Sequence, residues 1–133
     1  LDRVSEVRGQ SYCLNALGRI AILQGDLKLA VLRLRQALRL NYELGWLVDL
    51  SEILHSIAVV EAISGDQSRA TLLLAASTAI MKKIGYYFPE NDLVDRLAPA
   101  SWFQGASATE EWGKGEAMSV DQAVAYALEG GNG

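Results

Sequence analysis

At 133 residues the chain has room for one compact domain with a real core and not comfortably for two. Half of it is hydrophobic and 21% is charged, a globular composition, and a net charge of −4 argues against the basic face that nucleic-acid binding asks for. No apolar run approaches the ~20 residues of a membrane span, and a single cysteine, Cys13, rules out an internal disulfide and fits the reducing cytoplasm.

The opening "LDRVSEVRGQ" has no signal-type hydrophobic stretch and no initiator Met, and reads as part of a longer chain. Beyond it Leu14, Leu17 and Ala21, flanked by Cys13 and Ile20, recur at steps of three and four, the spacing of a helix with one apolar side. This stripe predicts a core-facing helix with a buried thiol at Cys13. In "LQGDLKLA", residues 23–30, Gly25 is suited to close that helix and Asp26 to cap the next. The second helix follows through Leu27, Ala30, Val31, Leu34 and Leu38 to a stop at Gly45. It carries the one basic concentration, Arg33, Arg35 and Arg39, which reads as a solvated helix face. Leu54, Ile57 and Val60 mark a third helix, "ISGDQSRA" at 63–70 a second turn, and Leu73, Leu74, Ile80 and Ile84 a fourth helix ending at Gly85. Prolines enter only at Pro89 and Pro99, and no alternating strand pattern competes. The fold class is all-α.

Residues 11–45 align with residues 51–85 at an offset of 40. Ser11/Ser51, Leu14/Leu54, Gly25/Gly65, Asp26/Asp66, Ala30/Ala70, Leu32/Leu72, Leu34/Leu74 and Gly45/Gly85 are identical, and Leu17/Ile57, Gly18/Ala58 and Leu44/Ile84 are conservative. The matches fall on packing and turn positions, as a repeated structural unit requires and a repeated reaction site does not. The expected organisation is helical hairpins at about 5–45 and 47–85, capping helices at about 90–129 and a disordered tail at 130–133. Within the cap, Ser119 and Gln122 form a capping box, and Val120, Ala123, Val124, Ala127 and Leu128 make one apolar stripe.

The hairpin positions Leu14, Leu17, Gly18, Ala21, Ala30, Leu34 and Ala37, and again Leu54, Ile57, Ala58, Glu61, Ala70, Leu74 and Ser77, resemble the tetratricopeptide-repeat pattern. The chain departs from it in having no Trp at Leu14 or Leu54, no Tyr at Ala21 or Glu61, and a period of 40 against the family's about 34. The tail "EWGKGEAMSVDQAVAYALEG" is similar to the C-terminal end of large bacterial regulators, the LuxR-type and signal-transducing ATPases. Trp112, Gly115, Ala117, Met118, Ser119, Ala123, Val124, Ala127 and Leu128 carry that likeness; Gly113 departs from it and weakens the short helix. The resemblance implies a helical-repeat solenoid whose first helices line a groove at Tyr12, Asn15, Arg19 and Ile22 and at Glu52, His55, Val59 and Ala62.

No reaction chemistry assembles from the residues. His55 is the one histidine and has no nucleophile or orienting carboxylate at recognisable spacing. Glu110 and Glu111 are neighbours rather than a facing pair, and "GKGEAMS" at 113–119 lacks the order of a phosphate loop. One Cys and one His do not make a zinc site. The expectation is a non-catalytic, cytoplasmic protein-binding or sensor module of a bacterial transcriptional regulator, without cofactor, metal, membrane or direct nucleic-acid partner. Its partner would be a protein or peptide, other domains of the parent chain included. A homodimerising spacer and a small-molecule sensor binding near Tyr12 and His55 stand as alternatives.

Overall fold

The computed structural model of the chain describes residues 2–86, 97–98 and 100–129. They form α1 (Arg3–Leu23), α2 (Leu27–Leu44), α3 (Leu47–Ser64), α4 (Gln67–Lys83), α5 (Ala100–Gly105), a 3-10 turn (Ala106–Ala108), α6 (Glu110–Glu116) and α7 (Val120–Leu128). Among the described residues there is no strand, and no helix is long and apolar enough to cross a membrane. The start of the expected cap near residue 90 and the tail at 130–133 lie outside the described residues.

The two Gly-Asp turns are built alike, bond for bond. Gly25 and Gly65 stand at φ +80° and +99°, a left-handed conformation that a Cβ disfavours. The amide of Asp26 donates to the Ala21 carbonyl at 2.9 Å and that of Asp66 to the Glu61 carbonyl at 3.0 Å, closing the outgoing helix. Their carboxylates then accept from the amides of Leu29 and Arg69 at 3.2 and 3.1 Å, capping the incoming one. Local sequence alone therefore reverses the chain twice in the same way. The Ser119 and Gln122 capping box also forms, with reciprocal bonds of 3.1 and 2.9 Å.

Within the hairpins α1 packs on α2 and α3 on α4, while α2 packs against α3 across the pairs. Gly18 lets α1 approach closely, since a Cβ there would lie 2.7 Å from Leu34 Cγ. Ser11 donates its hydroxyl to the Ala37 carbonyl at 3.0 Å, so this polar pair is satisfied within the core. α3 is the central element: from Leu50 to Ala62 every residue but Glu52 is buried, as in a helix largely enclosed by neighbours.

The short α6 lies on α4, and α7 touches α2, α3 and α4. Glycine is a poor helix former, yet α6 contains Gly113 and Gly115. Gly115 is needed there: a Cβ would land on the Leu72 carbonyl oxygen and 2.7 Å from Ala75 Cβ. Thr109 caps this helix by accepting from the Trp112 amide at 3.3 Å, and Glu110 and Glu111 occupy its first turn. Trp102 is buried beside it, its indole N–H donating to Thr71 Oγ1 at 2.8 Å.

One expectation fails clearly. Cys13, Leu17 and Ile20 were expected on a core-facing stripe, but all three are exposed, with Leu17 at 49% and Ile20 at 47%. The α1 face that reaches α2 runs instead through Val7, Ser11, Gly18, Ala21 and Ile22.

Replacing Gly115 with Ala forces α6 off α4, because the obstructing atom is backbone; we expect a loss of about 1–3 kcal/mol, read from urea unfolding, with Gly113→Ala neutral or stabilising. A second expectation concerns α2 and α7. The Tyr42 hydroxyl donates to Asp121, and this bond raises the phenol above its ordinary 10.0. The folded chain thus holds this proton more tightly than the unfolded one. The contribution is present below pH 10.0 and fades as pH rises through the raised value. Thermal melts should fall more steeply above pH 10.0 for the wild type than for Tyr42→Phe.

Candidate functional site

The surface shared by α1 and α3 is fixed by two polar links. Arg8 Nε lies 3.1 Å from Asp49 Oδ2, and its guanidinium stacks 4.0 Å from the centre of the Trp46 ring. Further along, Arg19 Nη1 donates to Ser56 Oγ at 3.2 Å. The pairs set the register of one first helix against the next, and they occupy Arg19, which the groove reading assigned to a partner.

The groove residues separate into open and closed. Tyr12 is 73% exposed, and its counterpart forty positions on, Glu52, is also exposed. Asn15 and Arg19 are half-buried. His55 and Val59 are interior, as are Ile22 and Ala62. Helical geometry explains the split. Asn15 and Arg19 turn toward α3, and His55 and Val59, forty residues on, turn the same way on α3 and so away from α1, into the protein. Only the outward edge, Tyr12 and Glu52, stays open to solvent. A small molecule seated between Tyr12 and His55 would have to reach one exposed and one buried residue.

The basic residues of α2 do not form a uniform solvated stripe. Arg39 is exposed and Arg33 donates to Gln36 at 3.4 Å, whereas Arg35 is half-buried. Burial, and then the nearby charge of Arg69, push the Arg35 guanidinium below its ordinary value. The stretch 113–119 is the end of α6 and the turn after it, with Gly115 buried against α4, so it presents no phosphate cradle.

The strongest polar cluster is one that the sequence reading passed over. Arg69, near the start of α4, is buried, with Nε 3.2 Å from Glu61 Oε1 on α3. Its Nη2 donates to the carbonyls of Tyr126, Ala127 and Glu129 at 2.7, 3.4 and 3.0 Å, and the guanidinium lies 4.5 Å from the centre of the Tyr126 ring. The last carbonyls of a helix have no partner within it; here one side chain supplies them. Burial raises the Tyr126 phenol, and the Arg69 charge opposes the rise. A signal was present in the repeat. Glu61 and Arg69 stand where the first hairpin has Ala21 and Leu29, so two charges enter apolar positions together.

The cluster clamps a helix: its guanidinium is engaged by Glu61 and by the α7 carbonyls. Among the described residues no group of three His, Cys, Asp or Glu is placed to hold a metal ion. No family model, no curated protein and no solved structure matches the chain.

Arg69→Ala leaves Glu61 and the α7 carbonyls without their cation and should cost about 3–5 kcal/mol in chemical denaturation. The double replacement Glu61→Ala with Arg69→Leu, copying the first hairpin, should lose less than Arg69→Ala alone, since no orphaned carboxylate remains.

Proposed function

We propose that the chain is a non-catalytic protein-binding module of helical-repeat type that offers the outer edge of α1 and α3 to a peptide or protein segment. The carrying observation is the exposed pair Tyr12 and Glu52 at equivalent places on two first helices whose register is held by Arg8–Asp49 and Arg19–Ser56. A fixed surface loses little conformational entropy on binding. Tyrosine is a frequent anchor residue because it brings large area and a polar tip with few rotatable bonds. Glu52 adds an exposed acidic group at the equivalent place on α3.

The similarity of the hairpins to tetratricopeptide repeats supports this reading, and that of the tail to the ends of bacterial LuxR-type and signalling-ATPase regulators supplies a context. In that context the bound segment belongs to the parent chain or to its regulator, and binding shifts the parent between resting and active arrangements by preferring one of them. Such a shift requires differential affinity, which an edge that another domain can cover provides.

A photo-crosslinking amino acid at position 12 of the full-length polypeptide tests the reading. The expected result is a defined peptide adduct, located by mass spectrometry, whose yield drops several-fold on Glu52→Lys. Diffuse labelling unaffected by Glu52→Lys would remove the edge as a binding site.

A further inference from the structure

The two hairpins share their turns and their internal packing, but they differ on one side. On α3, Ile53, Ile57 and Val60 are each 1% exposed. Their counterparts on α1 are Cys13, Leu17 and Ile20, the three that are uncovered. Steps of four and three put each set in one stripe. By equivalence with Ser11 and Gly18, which meet α2 in the first hairpin, Ser51 and Ala58 mark the α4 side of α3, while Asp49 and Ser56, which hold Arg8 and Arg19, mark its α1 side. By helical angle the stripe Ile53, Ile57 and Val60 lies between the α1 side and Glu61, whose charge reaches Arg35 of α2, so α2 is the neighbour packed there. A preceding second helix therefore covers this stripe in the second hairpin.

We propose that Cys13, Leu17 and Ile20 are the docking face for the second helix of a further hairpin of the same polypeptide, stacked on α1 as α1 and α2 stack on α3. The argument is continuity with an interface the fold already contains: one face, repeated at the forty-residue offset, has its cover in one copy and lacks it in the other. The face also restricts its occupant. Asp49 and Ser56 receive arginines from α1, but their counterparts on α1 are Gly9 and Ala16, which accept no side-chain hydrogen bond. The docked hairpin must lean its first helix on α1 through apolar or small side chains, with no equivalents of the Arg8 and Arg19 links. A Cβ at Gly9 would meet nothing within 4 Å, so room for that helix exists. This surface is separate from the Tyr12 and Glu52 edge, and the inference stands or falls without the binding function proposed above.

Cys13 reports on the cover directly. In the native full-length polypeptide it should react with a maleimide ~10-fold or more slowly than in the 133-residue chain, at any protein concentration. Leu17→Glu or Ile20→Lys in the full-length protein should restore fast labelling. In the 133-residue chain the same substitutions should leave the thermal melt unchanged, because the side chains are already in water. Equal labelling rates in the two proteins overturn the proposal. So does slow labelling of the 133-residue chain that speeds up on dilution, which would identify a second copy as the cover. A full-length protein with nothing but these residues would overturn it as well.

Discussion

The C-terminal end of α7 is held by a single guanidinium. The turn before α7 is encoded locally by Ser119 and Gln122, whereas Glu129, the residue after its last turn, stands in extended conformation. The carbonyls left over at that end are met by Arg69, whose own charge is balanced by Glu61. Three helices thus converge on one ion pair. Burying it is unfavourable unless every donor and acceptor finds its place, and the bonds to three carbonyls together with the stacking on Tyr126 supply that. The Tyr42–Asp121 bond holds the other end of α7 to α2.

What was legible in the sequence was what local chemistry decides. The helix stops at Gly25, Gly45, Gly65 and Gly85, the aspartate caps and the Ser119 box all involve neighbours a few residues apart, and all are present. The small residue at Gly18, opposite Leu34, was also readable, because it is repeated as Ala58. What escaped was set by contacts between distant segments. Arg69 meets carbonyls 57 to 60 residues away, so nothing near it announces its role. Periodicity placed Cys13, Leu17 and Ile20 on an apolar stripe and could not say whether anything covers it. The groove offsets for His55 and Val59 treated α3 as if it had an open side, and it has little of one.

The open surfaces that remain are modest and specific in kind. One is an aromatic and acidic edge across α1 and α3. The other is an aliphatic stripe with a thiol at one end, on the back of α1. They differ in chemistry as much as in place: the first suits a reversible contact with a partly polar rim, the second the permanent packing of helix on helix.

Interchangeable hairpins would let a lineage shuffle units freely, because each Gly-Asp turn carries its own instructions. The buried ion pair removes that freedom here. A hairpin with Ala21 and Leu29 put in second place would leave the end of α7 bare, and one with Glu61 and Arg69 put in first place would bury charges with no carbonyls to meet. The two hairpins are alike in their turns, but their order is not reversible: this array has a direction, written in two residues.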